Sequence, residues 1–216
     1  MRPQRVPRTR SPGTPGPGWP ADRERLERLA RAIEPSVRLE TKDGLRWRIL
    51  AVLAAAATAG GIRRRTFLED YATTLGPVHG YPAAWSVERV EATLVHEARH
   101  TRQARWCGLG LHPWLGLPVF ALLYLAAPLP VGLALGRFAF ELDADRAAWR
   151  RALEDGAEPD AIRARARAFA GRVCSGHYGW PLPRRLGLAL FRRAAERTLA
   201  AHARSTAAPS RRRSRA

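Results

Sequence analysis

The sequence predicts a mainly α fold with a minimal β element, an α+β class with few strands. Apolar residues recur at helical spacing in most segments between residues 22 and 203, whereas strand-like composition is confined to residues 37–40 and 66–85. Of the 216 residues 46% are apolar and 26% charged, which supports one buried core and excludes wholesale disorder or a collagen-like chain.

Residues 1–20 are rich in Pro, Gly and Arg and predict a disordered arm. Asp22 then reads as an N-cap, with Leu26, Leu29 and Ile33 on one face of a helix that Pro35 closes. A short extended piece, Val37 to Glu40, leads to a Lys42-Asp43-Gly44 turn. Leu45 to Gly61 is Ala-rich and apolar between arginines; its uncharged part, Ile49–Ile62, is shorter than the ~18–20 residues that cross a bilayer, so a buried or interfacial helix is expected. Residues 66–85 mix aromatic, Thr, Gly and Pro residues and predict strand and loop, with Tyr71–Leu75 as the strand. Ser86 caps a second helix, to about Trp106, with Val87, Val90, Leu94 and Ala98 as its stripe.

Between Arg105 and Arg137 there is no charged residue, a run long enough to span a membrane but broken by Pro113, Pro118, Pro128 and Pro130. Helices follow from about Arg137 to Asp155, stopped by Gly156, and from Pro159 to about Cys174, with Ile162, Phe169 and Val173 inward. Ser175–Pro183 reads as a loop, Leu186–His202 as a basic amphipathic helix, and 204–216 as a disordered basic tail.

The charge balance is 37 Lys+Arg against 19 Asp+Glu, net +18, and Lys42 is the single lysine. Half of that net charge lies on the two tails, where arginines would attract any polyanion or an anionic membrane without specifying which. No specific nucleic-acid recognition is expected. Cys107 and Cys174 are too few for a disulfide framework and lack CxxC spacing; two buried thiols are expected, with a single bridge as the alternative. The basic N-terminus has no apolar core behind it, so no signal peptide is indicated; the expectation is a cytoplasmic chain, at most peripheral on a membrane.

One segment carries chemistry. His96-Glu97-Ala98-Arg99-His100 is an HExxH motif inside the Ser86–Trp106 helix, where histidines four apart share a face and can reach one metal ion. Glu97 stands beside that face, placed to take a proton from a metal-bound water. Zinc suits this set because three protein ligands leave a fourth position for that water. Glu141 is the candidate third ligand. Asp145, four residues on, could accept a hydrogen bond from a ligand histidine and orient it. Pairing of either acid with Arg137, Arg146 or Arg150 is the alternative. His79 and His112, in Gly/Pro-rich surroundings, read as structural or exposed residues.

If residues 107–136 crossed a bilayer once, His100 and Glu141 would lie on opposite sides. A shared site therefore requires a helical hairpin, a re-entrant segment or buried core helices.

These residues resemble zinc metallopeptidases of the gluzincin type, in which one helix carries HExxH and a second carries E-x-x-A-D. His96, Glu97 and His100 match the first pattern, and Glu141, Ala144 and Asp145 the second. Tyr71 to Trp180 is also similar to a group of bacterial proteins of metallopeptidase type, through Thr73-Thr74-Leu75-Gly76, an HExxH-x-x-Q helix from His96 to Gln103, the apolar connection 107–136 and Glu141. The resemblance implies a compact zincin-like domain over residues 21–203, with 107–136 as an apolar Pro-rich insertion, and hydrolysis of a peptide or protein substrate with Glu97 as general base. It also implies an oxyanion donor outside the two helices, for which Tyr178 and His177 are candidates near Trp180 and Pro181, and a strand at Tyr71–Leu75 along which a peptide pairs. The chain departs from the family at Arg99 and Arg102, where zincin helices carry uncharged and hydrophobic residues; a guanidinium there opposes metal binding unless it meets an acid or solvent. Two other classes stay open: an inactive metal-binding structural or interaction domain, and a basic protein binding polyanions or membrane surfaces.

Overall fold

The computed structural model describes residues 19–57, 63–126, 135–174 and 182–207. It is mainly helical, with eight α-helices among those residues and one small sheet. A 3-10 turn, Trp19–Asp22, precedes α1 (Arg23–Ile33). Trp19 is fully buried, donates from its indole to the Pro82 carbonyl at 2.9 Å and meets Tyr81 edge-on at 5.8 Å. Trp19 and Pro20, expected within the disordered arm, instead belong to the folded part, because an indole with so large an apolar area contributes to a core, and residues 1–18 lie outside the described residues. Asp22 takes the N-cap position without capping; its carboxylate faces Arg25 at 3.7 Å.

The sheet has strand order β1-β3-β2, formed by β1 (Arg38–Thr41), β2 (Thr73–Leu75) and β3 (Val78–Tyr81). β3 runs parallel to β1 and antiparallel to β2, so it is central and wholly buried while β2 lies at an edge. Gly76, at φ +58° in the two-residue β2–β3 turn, adopts a backbone conformation that costs a side-chain-bearing residue energy. α2 (Leu45–Ala57) buries Trp47 and Ala51 and leaves Ile49 and Leu53 exposed. The strand-and-loop reading of 66–85 needs correcting at its start: Thr66–Glu69 belongs to α3 (Arg64–Glu69), whose Arg65 and Glu69 pair at 2.8 Å across one turn. Lys42 Nζ ties this region together, donating to the carbonyls of Phe67 and Tyr71 and to Thr73 Oγ1.

α4 (Val87–Cys107) begins as expected, with Ser86 Oγ accepting from the Arg89 amide at 3.3 Å and Val90, Leu94 and Ala98 buried. The first part of the uncharged run forms α5 (Pro113–Ala126), which doubles back against α4. The crossing is so close that a Cβ at Gly116 would stand 1.8 Å from the Ala104 carbonyl oxygen. No described helix is long and apolar enough to cross a membrane. α6 (Leu135–Glu154) packs on α4 and α5, and α7 (Pro159–Val173) and α8 (Arg184–Ala207) close a second core around Phe138, Trp149, Ile162 and Phe191. α8 continues through Ala207, so 204–207 are helical rather than part of a disordered tail. Cys107 and Cys174 are free thiols, half-buried rather than buried.

Candidate metal centre

Three helices build the site. α4 contributes His96, Glu97 and His100, α6 contributes Glu141 and Asp145, and α5 covers them with Phe120 and Tyr124. The histidines share a face because four residues are just over one helical turn. Ala98 and Ala144, both fully buried, let α4 and α6 approach closely.

The geometry is convergent. His96 Nε2 lies 3.1 Å from His100 Nε2 and 3.3 Å from Glu141 Oε2, and His100 Nε2 lies 3.9 Å from Glu141 Oε1. Tetrahedral zinc with bonds near 2.0–2.1 Å places its ligand atoms about 3.3 Å apart. Each ring's other nitrogen is occupied: His96 Nδ1 meets Asp145 Oδ1 at 3.0 Å and His100 Nδ1 meets Gln103 Oε1 at 2.8 Å. The two Nε2 atoms therefore face each other and the carboxylate. Glu141 Oε2 is buried and accepts no well-directed hydrogen bond, an unsatisfied acceptor of the kind a cation would complete. The donor set and this orphaned oxygen fit a zinc ion.

The electrostatics agree. Burial opposes charge on His96, yet its hydrogen bond to Asp145 and the nearby carboxylates of Glu141 and Asp145 raise its pKa well above the usual imidazole value. Burial would raise Glu141, but the His96 Nε2 atom 3.3 Å away, the charges of both imidazoles and the Tyr124 hydroxyl bring it down to about 2. Asp145 is raised by its burial, against the pull of His96. The cluster thus favours positive charge at its centre.

Glu97 stands outside the triangle of ligand atoms, with its carboxylate against the edge strand. Thr74 Oγ1 of β2 donates to Glu97 Oε2 at 2.6 Å, and Oε1 has no partner among the described residues. Arg99 does not oppose a metal: it grips Asp143 at 2.6 and 3.0 Å, while Arg102 is exposed. Glu141 and Asp145 both face His96, not the exposed Arg146 and Arg150. His79 is fully buried, its Nε2 2.8 Å from Thr101 Oγ1, and His112 is exposed; neither joins the site. His177 and Tyr178 lie outside the described residues.

Sequence reasoning missed Tyr124, which donates its hydroxyl to Glu141 Oε1. A signal existed: Tyr124 is the one hydroxyl-bearing residue in the uncharged run. It also missed Asp143 and the bond from Thr74 to Glu97.

No family model matches the chain, and no curated protein or solved structure matches it either.

Proposed function

We propose that the chain is a zinc-dependent metallopeptidase, a hydrolase of peptide bonds. In this reading His96, His100 and Glu141 hold the metal, Asp145 orients His96, and Glu97 is the general base. The observation that carries it is the buried convergence of two imidazole nitrogens and a carboxylate oxygen, with a further carboxylate adjacent on the same helix. A zinc ion held there supplies Lewis acidity and a bound water whose pKa falls to about 7.

The chain's own groups do the rest. Glu97 accepts the proton of the attacking water and returns it to the leaving amine, with Thr74 holding one oxygen so that the other is presented. A peptide substrate pairs with the outer edge of β2, which no described strand occupies. Tyr124 holds Glu141 through Oε1, and Tyr178 or His177 donates to the oxyanion.

The test is metal content by mass spectrometry, with activity on a peptide library. Wild type should hold one zinc, and His96→Ala and Glu141→Ala should lose it. Glu97→Gln should keep the zinc and lose about 100-fold or more in activity. Zinc without any Glu97-dependent cleavage would leave a metal-binding module, and no zinc in wild type would sink the reading.

We further propose a cytoplasmic protein whose arginines are available to anionic lipid. Sedimentation with anionic vesicles that falls steeply with salt checks that contact; binding indifferent to salt would refute it.

A further inference from the structure

His100 has two ring nitrogens, and Gln103 decides which one carries the hydrogen. Gln103 Nε2 lies 3.0 Å from the Phe140 carbonyl and 2.8 Å from Asp143 Oδ2. A carbonyl and a carboxylate only accept, so the nitrogen end of the amide must be the one facing them. That leaves Oε1 toward His100 Nδ1 at 2.8 Å. An amide oxygen also only accepts, so Nδ1 must carry the hydrogen and the neutral ring keeps its lone pair on Nε2. Asp143 is held in turn by the two-point grip of Arg99 Nε and Nη2.

We propose that Gln103 is a positioning residue that locks His100 in its Nδ1–H tautomer, with Arg99 and Asp143 fixing the amide that does so. The consequence for a metal rests on the zinc reading above, whereas the hydrogen-bond logic stands without it. The relay joins helices: Arg99, His100 and Gln103 lie on α4, Phe140 and Asp143 on α6. The bonds that set the tautomer therefore also bring Glu141, two residues before Asp143, to the imidazoles. Arg99, a departure from the usual zincin helix, becomes the outer anchor of this relay, its charge met by an acid.

Nitrogen-15 NMR of the metal-free full chain, labelled at histidine and recorded at alkaline pH, reads the tautomer from the two ring shifts. His100 of wild type should be the Nδ1–H form; the Nε2–H form there, or an even mixture, overturns the proposal before any variant is made. Gln103→Leu should lose that tautomer and weaken zinc binding by about 10–100-fold in competition with a chromophoric chelator, with an unchanged circular dichroism spectrum. An unchanged tautomer in Gln103→Leu, or unchanged zinc affinity despite a changed one, also overturns it. Wild type that binds no zinc defeats the metal reading alone, and the wild-type tautomer still decides the relay. It decides equally if Gln103→Leu does not fold.

Discussion

His79 sits on the central strand with no solvent contact, and its hydrogen-bond arithmetic is closed on one side only. Thr101 Oγ1 donates its single hydrogen to the Gly76 carbonyl at 2.8 Å, so it accepts from His79 Nε2–H. Nδ1 is then an unprotonated, buried acceptor with no partner. Burial, and to a lesser degree the charge of His100, push the His79 pKa down to about 3 from 6.5. The unfolded chain takes up a proton below pH 6.5 that the folded chain refuses until about pH 3. Stability is therefore intact above pH 6.5 and lost as pH falls through that window, by roughly 3 kcal/mol at pH 4. Gln in this place can still donate to Thr101 but cannot titrate. Urea midpoints of the metal-free protein between pH 7.5 and 4 should fall less steeply for His79→Gln than for wild type; parallel curves would refute this account.

At the scale of elements, the α4–α5 crossing supports the site, because it carries Tyr124 to Glu141. Ala in place of Gly116 gains helix propensity of up to about 1 kcal/mol, but its Cβ would meet the backbone oxygen of Ala104, which has no rotamer to yield. Forcing the helices apart costs about 1–3 kcal/mol or more, so the clash wins. Gly116→Ala should lower Tm by roughly 2–4 °C per kcal/mol lost and weaken zinc binding. Gly171→Ala on α7, where a Cβ meets nothing within 4 Å, should leave Tm unchanged or higher. Equal effects at both sites would show that the crossing does not matter. α4 was legible in the sequence because cap, stripe and motif agree on one helix. β3 was not, because His79, Gly80 and the following Pro82 read locally as loop, and only pairing with β1 and β2 makes a strand of them. The ligands could be named from spacing along two helices, whereas Tyr124 and Asp143 reach the site through packing between helices, which no spacing within one segment encodes.

For the whole molecule, the metal-free protein carries an electrostatic cost. Glu97, His100, Glu141 and Asp145 are buried, and Oε2 of Glu141 and Oδ2 of Asp145 lack hydrogen bonds. Unmet buried acceptors destabilise the fold unless a cation completes them. Here the acceptors lie where α4 and α6 meet beneath α5, so a cation there ties together segments that are far apart in sequence. Zinc should bind the folded chain far better than the unfolded one, and linkage then converts affinity into stability: about 2.7 kcal/mol at a hundredfold excess over Kd. Calorimetry should show Tm rising with zinc and falling with a chelator in wild type, by roughly 2–4 °C per kcal/mol. Glu97→Gln should show the same rise, since Glu97 lies outside the ligand triangle, and Glu141→Ala should show none. A wild-type Tm indifferent to zinc would mean that the buried acids are accommodated by protons alone, and that the site is a hydrogen-bonded core rather than a metal centre.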